Sequence, residues 1–288
     1  MQPKKLVIGE WKVNSAVSAS GANSSVSING GEATTVTGAV SADGVNAAVT
    51  IDSADTIIGS DITANGKGAK VTAKNLSKLD GDVATDADGS VELNFKEGAS
   101  WTGDNSGNTA MSLSKGSWNG ANTGKLNATL TNGTTWTGDS SGTGSTIKLD
   151  ASSWSGMNGG AKANITLTNS ASWTGTNTGN NATISLTDSS WSGDNSGANV
   201  TITADNSKWN GSTSAAGSAT LTNGSIWNGA STSADFSLTL NGSTWNNSGA
   251  SSLKSFTGTN GIVDMTNAAA GVTIGSYSGD ATVIYKHN

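Results

Sequence analysis

Residues 164–210 read NITLTNSASWTGTNTGNNATISLTDSSWSGDNSGANVTITADNSKWN. One phrase occurs three times in this stretch. An apolar pair on alternate residues (Ile165/Leu167, Ile184/Leu186, Val200/Ile202) leads through Asn, Asp and Ser to a tryptophan, which is followed by a polar residue and then glycine (Trp173-Thr174-Gly175, Trp191-Ser192-Gly193, Trp209-Asn210-Gly211). Apolar residues at every second position, flanked by Thr and Ser, are the signature of a strand with one buried face.

The phrase extends in both directions. Tryptophans stand at Trp101, Trp118, Trp136, Trp154, Trp173, Trp191, Trp209, Trp227 and Trp245, at intervals of 17, 18, 18, 19, 18, 18, 18 and 18 residues. Eight of the nine continue as Trp-x-Gly, and the last departs as Trp245-Asn246-Asn247. Apolar pairs precede them at Val91/Leu93, Met111/Leu113, Ile147/Leu149 and Leu238/Leu240, and turn dipeptides that tolerate positive φ intervene at Asn132-Gly133, Asn223-Gly224 and Asn241-Gly242. Each unit thus reads as a strand, a turn, a second short strand holding the tryptophan, and a variable Gly-rich loop such as 104–107.

A unit this short cannot bury its apolar face alone, so units must stack with equivalent strands pairing from one to the next. The expected fold is all-β, a single parallel β-helix of about 14 coils, mostly 18 residues each, forming a rod on the order of 65 Å long. Its expected hand is right, as for nearly all parallel crossovers. Residues 1–90 keep the beat with longer coils, the pairs Val26/Ile28, Val49/Ile51, Val71/Ala73 and Val91/Leu93 being 23, 22 and 20 residues apart. Residues 90–247 hold the regular Trp-x-Gly coils, and 248–288 resume the pattern loosely at Phe256 and Val272/Ile274. One domain spans 1–288 in this reading.

Side-chain parity decides whether the tryptophans are core or an exposed sugar-stacking platform. Two residues before each stands Ala99, Gly116, Thr134, Ser152, Ala171, Ser189, Ser207, Ser225 or Ser243, and two after stands Gly in eight cases of nine. These positions share a face with the ring, and small neighbours suit a narrow interior. The opposite parity carries Lys208 and an unbroken series of Thr, Ser and Asn. The nine tryptophans are therefore expected to form a buried ladder.

Composition restricts the chemistry. With 39 Gly, one Pro and 12% charged residues the chain could be mistaken for a disordered one, but disorder places no apolar residues at a fixed period. A net charge of −6, with all 15 basic residues lysine, disfavours nucleic acid as a partner. Cysteine is absent, so no disulfide or thiolate metal site contributes. No segment approaches the ~20 apolar residues of a membrane helix. Leu6, Val7 and Ile8 make too short a run for a secretory signal core, so an exported protein would be present here as a processed portion.

Histidine occurs once, at His287, expected to be a frayed end or a tag remnant; this leaves no base for Ser/His or Cys/His catalysis and no His-based metal set. Parallel β-helices do host polysaccharide lyases and glycosidases, yet the acids here are scattered about one per coil (Asp104, Asp139, Asp150, Asp188, Asp194, Asp205), and no enzymatic function is expected. Asp80, Asp82, Asp86 and Asp88 loosely resemble a calcium loop without matching its spacing, and a solvated turn is favoured; no metal or cofactor is expected. One basic cluster, Lys67, Lys70, Lys74 and Lys78, is a candidate site for an anionic glycan, weighed against an ordinary solvated face.

Coils of 18 to 20 residues with the pattern LTNGSxWxG, Asn/Gly turns, Gly-rich loops and no cysteine resemble the passenger domains of bacterial autotransporters, particularly AIDA-type adhesins. The resemblance covers nearly the whole chain, most specifically residues 90 to 247. It implies secretion through the outer membrane by a C-terminal β-barrel, which this sequence does not contain, and display on the bacterial surface. The implied function is adhesion to host glycans or matrix proteins, self-association, aggregation or biofilm formation. The family offers no universal binding motif, so no residue inherits a role. A structural phage or fibre module and a carbohydrate-active β-helix enzyme are the alternatives.

Overall fold

The computed structural model describes residues 11–268 and 271–285, so Leu6, Val7, Ile8 and His287 lie outside the described residues. The fold is all-β: a parallel β-solenoid with about 14 turns spaced about 19 residues apart. Two compact units divide the chain, residues 1–128 and 129–288.

In residues 1–128 the strands Ser25–Val36, Ala48–Ile58, Lys70–Asp80 and Ser90–Thr102 pair in parallel, coil upon coil. Val26, Val49, Val71 and Val91 form one column and Ile28, Ile51, Ala73 and Leu93 the next, as their spacing predicts. A bulge in these long strands carries the chain to a second inward column, Val13, Val36, Ile58, Leu79, Trp101 and Trp118. Aliphatic residues thus fill the tryptophan column before the tryptophans begin.

The greater length of these coils has a specific cause. Val17–Ser20, Val40–Asp43, Ile62–Asn65 and Val83–Thr85 form a separate four-stranded parallel sheet, burying Val17, Ala19, Val40, Ala42, Ile62, Ala64 and Val83. In the next coil this strand shrinks to one bridging residue, Asn105, paired with Val83 below and Asn122 above. Removing most of a strand shortens the coil.

In residues 129–288 each coil has a strand bearing the apolar pair and a three- or four-residue strand holding tryptophan, up to Trp245, after which Val263 and Val283 continue the column. Ile147, Ile165, Ile184 and Ile202 are in register, as are Leu149, Leu167, Leu186 and Ala204. The pair expected at Val200/Ile202 is therefore displaced by two residues: Ile202/Ala204 occupy the columns, and Val200 is buried one step earlier, opposite Gly217. Met111 likewise aligns with Leu93, and Thr109 with Val91. A two-residue displacement preserves parity, so it leaves the buried face unchanged. The turns use left-handed residues where expected, with φ of 57° at Asn132 and 84° at Gly133, and 55° and 79° at Asn223 and Gly224.

Candidate functional site

The tryptophans are core. All nine are at most 1% exposed. Within residues 129–288, consecutive rings from Trp136 to Trp245 stack at centroid separations of 4.6–5.1 Å with planes 2–11° apart, and Trp101 and Trp118 stack likewise at 4.5 Å. Stacking of this kind adds ~0.5–1.5 kcal/mol per pair beyond burial.

A buried indole N–H must find an acceptor, and the Trp-x-Gly motif supplies it. Trp173 Nε1 donates to the carbonyl oxygen of Gly156 at 2.8 Å, Trp191 Nε1 to that of Gly175 at 2.9 Å, and Trp209 Nε1 to that of Gly193 at 3.0 Å, each the motif glycine of the preceding coil. The glycine is obligatory for a second reason. A Cβ on Gly175, Gly193 or Gly229 would lie 1.9 Å from the carbonyl oxygen of the glycine below it. The glycine backbones stack closely enough to leave no room for a side chain, and that closeness brings the acceptor to the indole. Asn247, which replaces the last glycine, is buried and turns its amide to local partners, donating to the carbonyl oxygen of Gly249 at 2.7 Å.

The loops read as variable contain a second interior ladder. Four residues after each of eight tryptophans stands Asn105, Asn122, Ser140, Asn158, Asn177, Asn195, Thr213 or Ser231, all at most 1% exposed. The amides bond along the stack: Asn158 Nδ2 donates to Asn177 Oδ1 at 2.6 Å, Asn177 Nδ2 to Asn195 Oδ1 at 2.7 Å, and Asn105 Nδ2 to Asn122 Oδ1 at 2.7 Å. The fixed offset from tryptophan was the available signal, but polar residues among glycines look like solvated loop when only apolar residues are used to trace the interior.

Lys70, Lys74, Lys78, Lys96 and Lys115 are ion-paired. Lys70 Nζ meets Glu92 Oε2 at 2.7 Å, Lys74 Nζ meets Asp52 Oδ2 at 2.8 Å, and Lys78 Nζ meets Asp80 Oδ2 at 3.3 Å. The hydrogen bond that Lys74 donates to Asp52 raises the Lys74 pKa, and the one that Glu92 accepts from Lys70, helped by Asn94, lowers the Glu92 pKa. Lys67 lies in the turn preceding this strand, exposed. The four predicted lysines therefore share one coil, each of the three on the strand matched by a carboxylate rather than converging on a common point.

The acids serve the stack in the same way. Asp104 Oδ1 accepts from the Ala121 N–H, Asp139 Oδ1 from Met157 N–H and Asp194 Oδ1 from Ser212 N–H, each at 2.7 Å and one coil on. Asp150, Asp188 and Asp205 accept from Asn169, Asn206 and Asn223 on the following turns. Asp86 accepts from the N–H groups of Gly66, Gly89 and Asp88, holding its pKa low against a desolvation effect that acts in the opposite direction. Among the described residues no group of three or more acidic or histidine side chains is placed to hold a metal ion. A cleft of roughly 420 Å³ in the last described coils is lined mainly by apolar side chains, among them Trp245, Phe256, Val263 and Tyr277.

What remains is the outward face of the strands carrying the apolar pairs. Over seven coils of residues 129–288 it consists of three columns. The first is Thr146, Asn164, Thr183, Thr201, Ser218, Ser237 and Ser255; the second is Lys148, Thr166, Ser185, Thr203, Thr220, Thr239 and Thr257; the third is Asp150, Thr168, Thr187, Asp205, Thr222, Asn241 and Thr259. Only Lys148, Asp150 and Asp205 in these columns carry charge. Neighbouring hydroxyls bond along the columns, Thr203 to Ser185 at 3.1 Å and Ser255 to Ser237 at 2.9 Å. The alternation that locates the apolar pairs also locates this array, since each is the other's complement.

Comparison with protein-family models, with curated proteins and with solved structures gives no match.

Proposed function

We propose that this chain is the adhesive passenger of an AIDA-type autotransporter, displayed on a bacterial surface and attaching it to host glycans or matrix proteins, with contact between copies as a second adhesive mode. The observation that carries this reading is the distribution of side chains. Carboxylates such as Asp104, Asp139, Asp150, Asp188, Asp194 and Asp205 are engaged in holding one coil to the next, while the outward strands present long columns of neutral hydroxyl and amide groups. Such columns suit many weak contacts multiplied along a repeat. The Trp-x-Gly coil pattern shared with AIDA-type passengers supports the family, and no enzymatic activity is proposed.

The test is to fuse the chain to a translocator barrel, display it on a non-adherent bacterial host, and measure attachment to cell layers, to immobilised matrix proteins and to a glycan array, together with settling of the culture. Adherence or settling above that of cells displaying the barrel alone is the expected result. Cells that display the folded chain and do neither would refute the proposal.

A further inference from the structure

We infer that the three-column face on residues 146–259 binds an extended neutral polysaccharide chain lying along the solenoid axis, a ligand class that deepens the adhesin reading and rests on it. The face repeats the same group coil after coil. Successive groups in a column are ~4.8 Å apart and the columns ~6.7 Å apart, so the array measures roughly 29 Å by 13 Å. Stacked coils keep its rows nearly parallel: the rings of the same coils, from Trp154 to Trp245, are tilted by only 2–11° per step. A ligand that meets every coil equivalently must itself be periodic, uncharged and rich in hydroxyls. A β-linked neutral glycan in extended conformation has all three properties, repeating its hydroxyls on a step comparable to one coil.

Charge selects among glycans. The chain carries a net charge of −6, and the face contributes one lysine and two aspartates, all in columns otherwise neutral. A sulfated or carboxylated chain would find a single lysine in this array, Lys148 in its first coil, and Lys70, Lys74 and Lys78 each already face a carboxylate. Area selects against a second copy as the occupant. About 400 Å² per partner is half of the ~800 Å² that a stable protein pair buries on each side. A glycan needs no such area, because its affinity accumulates one sugar at a time. Threonine is well suited to the task, since β-branching limits its χ1 choices and reduces the order lost on binding.

The experiment titrates the intact chain with neutral β-linked gluco-oligosaccharides of increasing length, by calorimetry. Affinity is expected to rise at least about twofold per added sugar until the oligomer spans about seven coils, and to level off beyond. Thr203→Lys, at the exposed centre of the middle column, should weaken the longest oligomer about tenfold or more, while Thr203→Ser and Lys74→Glu leave it within twofold. Unchanged tryptophan fluorescence certifies folding, and Thr166→Lys and Thr220→Lys repeat the test on adjacent coils. Affinity independent of length, undiminished binding by all three lysine variants, or preference for a sulfated oligomer lost on Lys74→Glu would overturn the inference, as would self-association that Thr203→Lys abolishes without any oligosaccharide binding. If displayed cells adhere but the oligomers do not bind, this inference fails and the adhesin reading stands. If oligomers bind with the expected length dependence but displayed cells do not adhere, the adhesin reading fails and the site stands.

Discussion

Replacing Gly193 by alanine is the most direct test of how the stack is held together. The new Cβ would lie 1.9 Å from the carbonyl oxygen of Gly175 and 2.5 Å from its carbonyl carbon. Both are backbone atoms, so no side chain can swing aside. Relief requires the two coils to part locally by ~1 Å or more, in an interior packed as densely as an organic crystal. The same oxygen accepts the Trp191 indole N–H at 2.9 Å, and the parting lengthens or breaks that bond. Leaving a buried donor unsatisfied costs ~1–3 kcal/mol. Overpacking against backbone adds ~1–3 kcal/mol. Gly193→Ala should therefore destabilise by about 2–6 kcal/mol, read as a lower urea midpoint for tryptophan fluorescence and far-ultraviolet circular dichroism. Gly224→Ala is the control. Nothing lies within 4 Å of the place its Cβ would take, and its cost is the left-handed strain at φ of 79°, ~1–2 kcal/mol. Equal midpoint shifts for the two variants would show that glycine serves the motif only through backbone freedom, and the close-approach explanation would be wrong.

Three further outcomes follow from the interior polar ladder and the acidic turn. Asn177→Leu removes both the acceptor of Asn158 Nδ2 and the donor to Asn195 Oδ1, leaving Asn158 Nδ2 only its 3.4 Å bond to the Gly160 carbonyl oxygen; this should cost ~1–3 kcal/mol in chemical denaturation, and a cost below ~0.5 kcal/mol would show that the ladder is incidental. Asn158 Oδ1 is buried without a hydrogen-bond partner, so Ser140→Asn, which places an amide donor one coil below it, should raise stability by ~1 kcal/mol in the same assay; destabilisation would mean that the corner cannot hold a longer side chain. Asp86 has a pKa below its ordinary value, so its contribution is complete above the unfolded-state value and is lost as pH falls through the depressed one. Hydrogen exchange at the Gly66 and Gly89 amides should accelerate, relative to the intrinsic rate, over that acid range, and in Asp86→Asn the acid step should vanish.

The sequence by itself determined the architecture and the inside of the protein. A tryptophan every 18 residues, small residues two before and glycine two after, and apolar pairs on alternate positions are local facts, and parity alone turns them into a buried ladder on a stacked coil. The physical reason is that a strand has only two faces, so a period of two assigns every residue to one of them. Only the tertiary structure decided which polar residues are structural. Asn105 and Asn177 lie among glycines and hydroxyls, and apart from their fixed offset from tryptophan nothing local distinguishes a solvated asparagine from one whose amide partner comes from a residue 17 or 18 positions away. The same holds for Lys70, Lys74 and Lys78: in sequence they are a basic cluster, yet Glu92 and Asp52 reach the first two from neighbouring coils, 22 residues distant in each case. Stacking brings distant residues together at a fixed interval. It therefore converts isolated polar residues into ladders and a dispersed set of threonines into one continuous face.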